Sequence, residues 1–325
     1  MSPEVKALRE KVMDGDIGAM VGLGEAYLKG AGVAPNYLKA RYFFHLAADL
    51  NDAVAQTYLG DMCCQGVGGP KDILGGIAWL HVAADQGNAE AQADLGVVYI
   101  QGQGVTQDIA QGASLLRKAA DQNFAPAQSI IGVLYSQGTG VPKDDSLSAS
   151  WFQKAADQNY SKAQANLSYC FYEGKGVVQD YSKARMWAEK AATQNSSMAE
   201  LELGDLYRLG YGGKQSYSEA ASWYQKAASQ DEAQAQAELA LLYENGLGVP
   251  RDQAQATVLI EKLVPLIQKK AAEGDNSYQT ILGQLNETGC GVPQDLDQAI
   301  AWYRQAASEG NPDAHAALKR LHADE

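Results

Sequence analysis

The chain has 325 residues, a net charge of −13 at pH 7 and an isoelectric point near 4.8. This acidity argues against nucleic acids and anionic membranes as partners, because both require clustered lysine and arginine side chains. No apolar run approaches the ~20 residues of a membrane span. The start, MSPEVKALREK, lacks the apolar stretch of a secretory signal, so we expect a cytoplasmic protein. A secreted or periplasmic location stays open if a signal was removed before Met1.

The first 18 residues predict an N-terminal capping helix. Ser2 is suited to the N-cap and Pro3 to the first helical position, where a missing N–H group costs nothing. Val5 and Leu8 fall on one helical face. This helix is expected to cover the open end of the segment that follows.

Residues 19–313 consist of eight copies of one sequence repeat. Its opening position, usually alanine and here called position 0, falls at residues 19, 55, 91, 127, 163, 199, 235 and 278. The spacing is 36 residues, and the seventh repeat carries seven additional residues. A fixed period of 20–50 residues is typical of stacked supersecondary units. The fold class predicted is therefore all-α, an α/α superhelical solenoid of about eight helix pairs.

The fourth repeat shows the landmarks of each pair. Position 5 is Gly132, and a glycine inside a helix indicates that the partner helix crosses closely there. Gly138 and Gly140, at positions 11 and 13, predict the end of the first helix and a turn with positive φ. Asp144, at position 17, predicts the N-cap of the second helix. Trp151, at position 24, is expected to lie in the core between repeats.

Four further features complete the array. Paired alanines at positions 28 and 29 predict close helix packing, and asparagine, aspartate or glycine at position 32 predicts a left-handed helix end. In the seventh repeat, residues 256–272 predict a second helix two turns longer than the others and kinked at Pro265. Residues 314–325 predict a C-terminal capping helix that begins after Asn311 and Pro312.

The landmarks A-x3-LG-x2-Y-x2-G-x-GV-x2-D-x3-A-x2-W-x3-AA resemble the Sel-one-like repeat family, relatives of the tetratricopeptide repeat. The resemblance covers essentially the whole chain. It implies a right-handed superhelix of helix pairs whose first helices line a concave surface, used as an adaptor or scaffold in protein assembly. Some relatives are rich in cysteine and bind β-lactams or cell-wall fragments. Here the four cysteines keep no register with the repeats, so no disulfide framework is expected.

No arrangement of residues predicts catalysis, a cofactor or a metal. His45, His81, His315 and His322 form no ligand pattern. The glycine-rich segments lack the order of a phosphate-binding loop, and neither HExxH nor a G-x-S-x-G nucleophile elbow occurs. The sequence therefore predicts a non-enzyme without cofactors.

The candidate binding surface consists of positions 2, 6 and 9 of the first helices, which vary from repeat to repeat. We expect them to line a concave groove with an apolar centre and a polar flank, the pattern of an interface. The groove residues predicted are Val97, Ile100, Val133, Ser136, Tyr169, Tyr172, Asp205, Arg208 and Leu241. The competing interpretation is a tightly wound superhelix in which these residues fill the inner wall and leave no groove.

Three classes of function follow from these observations. The favoured hypothesis is a non-catalytic interaction scaffold that holds a partner peptide or domain in the groove. The acidity favours a partner protein with a basic surface. The alternative is a small-molecule binder or enzyme like the cysteine-rich relatives. Self-assembly is disfavoured because both capping helices carry charged residues, so we expect a monomer.

Overall fold

The computed structural model describes residues 1–323, and every regular element within them is an α-helix. The chain forms two compact units, and the second begins at Ser161. In each unit the first helix of a repeat packs against the second, and the second packs against the first helix of the following repeat. This arrangement is a tandem array of helix pairs, as the repeat pattern predicts.

The first unit contains the capping helix and four pairs. These are α1 (Pro3–Met13), α2 (Ile17–Lys29) with α3 (Tyr37–Asp49), α4 (Ala53–Gln65) with α5 (Ile73–Asp85), α6 (Ala89–Gln101) with α7 (Ile109–Asp121), and α8 (Ala125–Gln137) with α9 (Asp145–Asp157).

The second unit contains the remaining repeats and a closing helix. These are α10 (Ser161–Glu173) with α11 (Tyr181–Ala192), α12 (Ser197–Leu209) with α13 (Tyr217–Ala228), α14 (Ala233–Asn245) with α15 (Gln253–Glu261) and α16 (Val264–Ala272), α17 (Asn276–Thr288) with α18 (Leu296–Ser308), and α19 (Pro312–Arg320). The predicted division of the chain at residues 18/19 and 313/314 stays a prediction, and residues 324–325 of the predicted closing helix lie outside the described residues.

Side-chain caps set the ends of the helices. In the second repeat, Asp52 Oδ1 accepts from the Ala55 backbone N–H at 2.8 Å, and Gly66 ends α4 with a φ of 74°. The first helix therefore starts two residues earlier than predicted, because the cap lies three residues before the landmark alanine. The N-cap predicted at position 17 is confirmed in all eight second helices, at Asn36, Asp72, Asp108, Asp144, Asp180, Ser216, Asp252 and Asp295.

The glycine at position 5 marks the crossing of the two helices, as predicted. A Cβ atom on Gly60 would lie 3.0 Å from the Gly76 carbonyl oxygen and 2.8 Å from Leu80 Cγ. In the next repeat the Gly112 carbonyl oxygen would lie 2.9 Å from a Cβ on Gly96. The crossing therefore leaves no room for a side chain. This steric requirement outweighs the lower helix propensity of glycine.

The tryptophans lie at the edge of the core, and the residue after each of them occupies its centre. Trp151 and Trp187 are buried, whereas the other three are half-buried. Position 25 is 4% exposed or less in every repeat, at Phe44, Leu80, Leu116, Phe152, Ala188, Tyr224, Ile260 and Tyr303. The expectation that the tryptophan row forms the core is therefore correct only in part, because position 25 faces the glycine crossing directly.

The seventh repeat has two helices where one long, kinked helix was expected. Helix α15 ends at Glu261, and the Leu263 N–H donates to the Ile260 carbonyl oxygen at 2.7 Å in the turn. Pro265 lies in the first turn of α16, where its missing N–H breaks no helical bond. That prediction was wrong because the additional residues include a turn that lets both Ile260 and Ile267 reach the core.

A ladder of glutamines, which the sequence analysis missed, ties successive repeats together. Gln128 is 3% exposed, and its amide nitrogen donates to the Ala120 carbonyl oxygen at 3.2 Å. Its amide oxygen accepts from Gln158 Nε2 at 2.7 Å. Equivalent pairs join Gln56 to Gln86, Gln92 to Gln122, Gln164 to Gln194 and, with a carboxylate as acceptor, Glu200 to Gln230. The ladder gives helix-end carbonyl groups a second, side-chain donor: the Ala120 carbonyl oxygen also accepts from the Asn123 backbone N–H at 3.0 Å.

Candidate functional site

The predicted groove residues of the first unit are half-buried. Val97 and Ile100 pack at the margin of a core cluster that contains Leu116 and Trp151. Ser136 Oγ donates to the carbonyl oxygen of Val133 at 2.8 Å, so this hydroxyl is already engaged within its own helix. These residues offer a shallow, mostly apolar surface.

Four of the predicted residues in the second unit line one cavity. Tyr169 and Tyr172 on α10 and Asp205 and Arg208 on α12 border a space of about 980 Å³. Helices α14 and α17 and the start of α19 complete its wall. Leu241 is only 6% exposed and packs in the core of this unit, so it contributes little binding surface.

Arg208 forms the centre of the cavity wall. Its guanidinium nitrogens lie 2.7 Å from Asp313 Oδ2, 3.4 Å from Asp205 Oδ1 and 3.7 Å from Glu238 Oε2. Its Nε also donates to Tyr224 Oη at 3.0 Å. One guanidinium therefore faces three carboxyl groups from three helices, and Asp313 brings the closing helix against α12.

Burial raises the pKa values of two carboxyl groups beside Arg208. Burial raises the pKa of Glu238 to about 7, although Arg208 opposes the shift. Burial also raises the pKa of Asp205, against the effects of Arg208 and of the Tyr224 hydroxyl, which donates to Asp205 Oδ1 at 2.7 Å. The single guanidinium therefore does not fully offset the effect of burial on Glu238 and Asp205. Asp205 and Arg208, which the sequence analysis assigns to the polar flank of the groove, form the charged part of the cavity wall.

Glu202 is a second buried acid in the cavity wall. Ser168 Oγ lies 2.7 Å from both the Ala184 carbonyl oxygen and Glu202 Oε1. A serine hydroxyl can donate only one hydrogen bond. It donates that bond to the carbonyl oxygen, because a carbonyl oxygen can only accept. Glu202 must then donate to Ser168, and this requires a protonated carboxylic acid. Burial raises the pKa of Glu202 to about 8, in agreement with that assignment.

Tyrosine rings form another part of the wall. The rings of Tyr181 and Tyr211 stack with centroids 4.2 Å apart, and Tyr172 meets Tyr181 edge-on at 5.6 Å. Lys175 Nζ lies 4.6 Å from the ring centroid of Tyr169 and 2.9 Å from its hydroxyl oxygen. Burial raises the pKa of Tyr172, so its phenol stays neutral.

Several wall residues were missed by the sequence analysis. Asn166, Glu202 and Glu238 occupy position 3 of their repeats, and Met198 and Gln234 lie at position −1. Positions −1, 3 and 6 follow helical spacing, so the stripe that lines the cavity could have been predicted once one of its positions was known. Asp313 has no such signal, because it reaches the cavity from 105 residues beyond Arg208.

The first unit has its own group of acidic side chains. Burial, with repulsion from Glu90, raises the pKa of Asp61 to about 6. Burial, with repulsion from Asp61 and Glu90, raises the pKa of Asp94 to about 7. Among residues 1–323, no group of three or more histidine, cysteine, aspartate or glutamate side chains is placed to hold a metal ion.

Comparison with known proteins identifies the repeat. The model of the Sel1 repeat matches residues 17–52, 53–88, 89–124, 125–160, 161–196, 197–232, 233–262 and 277–311. No curated protein matches the chain significantly. None of the helices in residues 1–323 is both long and apolar enough to cross a membrane.

Solved structures give the same result. One similar structure is the crystal structure of c5321, a protective antigen present in uropathogenic Escherichia coli strains displaying an SLR fold. Its sequence is 30% identical to this chain, and the TM-score is 0.67. The match covers 98% of this chain and 67% of that protein. A Sel1 repeat protein from Oxalobacter formigenes is 32% identical with a TM-score of 0.63, covering 66% of this chain and 88% of that one. Arrays of this kind are typically non-catalytic scaffolds for protein interaction. The eight repeats, their helix pairs and these likenesses together place the chain in the Sel1 repeat family.

Proposed function

We propose that this chain is a non-catalytic scaffold that binds a partner protein through the cavity of its second unit. The observation that carries the proposal is the cavity itself, whose wall combines side chains from the first helices of four successive repeats. Each of those helices packs against the second helix of its own repeat, so the surface is formed before binding and little conformational entropy is lost. A monomer that presents this surface to a basic partner agrees with the net charge of −13.

The small-molecule alternative has less support. Binding sites for small ligands are mostly apolar with a few polar groups that converge. This cavity is rich in charge and opens along several helices, which suits an extended peptide better. No observation favours cell-wall fragments or β-lactams as ligands.

Site-specific photo-crosslinking tests the proposal. A benzoylphenylalanine replaces Tyr169, whose side chain is 45% exposed at the cavity, in cells that produce the protein. The matched control places it at Met186, which is 41% exposed on the second helix of the same repeat and does not line the cavity. We expect one protein to crosslink to position 169 and not to position 186.

A binding measurement on a double variant completes the test. The double substitution Tyr169→Ala and Tyr172→Ala should weaken binding of the captured protein, because it removes two cavity-wall side chains. Equal capture from both positions, or unchanged affinity in the double variant, would contradict the proposal.

A further inference from the structure

The cavity of the second unit has more acidic than basic side chains. Its carboxyl groups belong to Glu173, Glu202, Asp205, Glu238, Glu309 and Asp313, and its basic groups belong to Lys175 and Arg208. A cavity of one predominant charge attracts ligands of the opposite charge, and its low-dielectric wall strengthens the attraction.

Both basic side chains are already engaged by the protein. Arg208 is surrounded by Asp205, Glu238 and Asp313. Lys175 Nζ lies 2.9 Å from Tyr169 Oη and 3.9 Å from Glu173 Oε2. An anionic ligand would have to displace these partners, so the cavity is poorly suited to bind one.

Glu238 has acceptor capacity left over. It is 8% exposed and lines the cavity. Its nearest cation is Arg208 Nε at 3.7 Å, beyond hydrogen-bonding distance, and no other side chain in residues 1–323 donates a hydrogen bond to it. A ligand that donates to this carboxyl group from the cavity would add a charge-assisted hydrogen bond.

We propose that this cavity receives an arginine side chain from an exposed segment of the partner protein. A planar guanidinium can bind carboxylate oxygens with two parallel N–H groups, and it stacks on aromatic rings. The cavity supplies both elements, because Glu238 lies in the same wall as Tyr172 and Tyr211. This inference rests on the proposed function and specifies what the partner must present.

Binding should also depend on pH. The guanidinium of the ligand favours the ionised forms of Glu238 and Glu202, whose pKa values are about 7 and about 8. Binding therefore releases protons, and affinity should rise from pH 6 to pH 8. Charged and polar groups from four helices face these two acids. They are Ser168 and Glu173 on α10, Asp205 and Arg208 on α12, Tyr224 on α13 and Asp313 on α19.

The test uses the full chain and a defined probe. The probe is the pentapeptide acetyl-Gly-Gly-Arg-Gly-Gly-amide, and its matched control carries citrulline, which has the shape of arginine without its charge. Calorimetry or NMR titration measures both affinities at pH 6, 7 and 8. We expect the arginine peptide to bind about tenfold more tightly than the citrulline peptide at pH 8, the size of effect of hydrogen bonds between charged groups.

Two variants locate the site. Glu238→Gln should abolish most of the preference for arginine, whereas Glu219→Gln, the same change at an exposed residue of α13, should leave it intact. Glu202→Gln provides a second cavity variant if Glu238→Gln fails to fold as judged by circular dichroism. It should reduce the rise of affinity with pH.

The outcomes separate this inference from the proposed function. Equal binding of the two peptides, or a preference that persists in both cavity variants, would overturn the arginine assignment. If the photo-crosslinked partner is nevertheless captured at position 169, the scaffold function stands with a different ligand. Tighter binding of a peptide with glutamate in place of arginine would also overturn the inference.

Discussion

The protonation of Glu202 leads to a prediction about stability. In the folded protein its pKa is raised from 4.5 to about 8, so the folded chain holds a proton that the unfolded chain releases above pH 4.5. Stability from this group is complete below pH 4.5 and is lost as the pH rises towards 8. The slope is about 1.4 kcal/mol per pH unit for one proton.

The substitution Glu202→Gln isolates this contribution. Glutamine has nearly the shape of the protonated acid, and its amide N–H can donate to Ser168 as the acid O–H does. Residue 202 does not titrate in this variant. The difference between its free energy of unfolding and that of the wild type should therefore increase, in favour of the variant, as the pH rises. Between pH 5.5 and 7.5 the gain should be about 2–3 kcal/mol. Other shifted groups, such as Glu238, are present in both proteins and cancel in the comparison.

Urea unfolding at several pH values provides the measurement. Replacement of Trp79 and Trp151 by phenylalanine in every protein compared leaves Trp187, Trp223 and Trp302, so fluorescence reports on the second unit. Glu219→Gln serves as the control, and its curve should run parallel to that of the wild type. A difference between Glu202→Gln and wild type that stays constant from pH 5.5 to 7.5 would refute the assignment of the proton.

Two further predictions concern the scaffold. Gly112→Ala should lower the free energy of unfolding by about 1–2 kcal/mol in thermal denaturation, because the new Cβ would lie 2.5 Å from the Gly96 carbonyl oxygen. The cost of overpacking there exceeds the gain in helix propensity. In the same assay the control Gly22→Ala, whose Cβ would meet only a leucine side chain, should be neutral or stabilising. Gln128→Met should cost about 1 kcal/mol in urea unfolding, because it removes the hydrogen bonds of Gln128 to the Ala120 carbonyl oxygen and from Gln158. Equal stability of the two alanine variants, or a neutral methionine variant, would contradict the roles assigned to the crossing and the ladder.

Much of the local structure could be predicted from the sequence because it depends on contacts within a few residues. The glycine at position 11 ends a helix whatever its surroundings, and Asp144 caps α9 by accepting from Leu147, three residues away. Even the crossing at Gly96 could be inferred, since only a close neighbour explains a repeated glycine inside a helix. The break in the seventh repeat could not, because it depends on whether the core can take both Ile260 and Ile267.

The candidate site was predicted less well. Tyr169, Tyr172, Asp205 and Arg208 were identified from their variation between repeats, and they line one cavity. Glu202 and Glu238 were missed because the face of a helix that remains open depends on how neighbouring helices cover the others. The competing interpretation of a filled inner wall does not describe the second unit, where the cavity remains.

The sequence alone determined the number of repeats, the helix pair within each and the glycines at their crossings, because a 36-residue period and short-range capping need no knowledge of distant residues. Only the tertiary structure decided the chemistry of the cavity. Asp313 meets Arg208 across 105 residues of sequence, and Ser168 meets Glu202 from the preceding repeat. Burial raises the pKa of Glu202, and burial is a property of the folded chain as a whole.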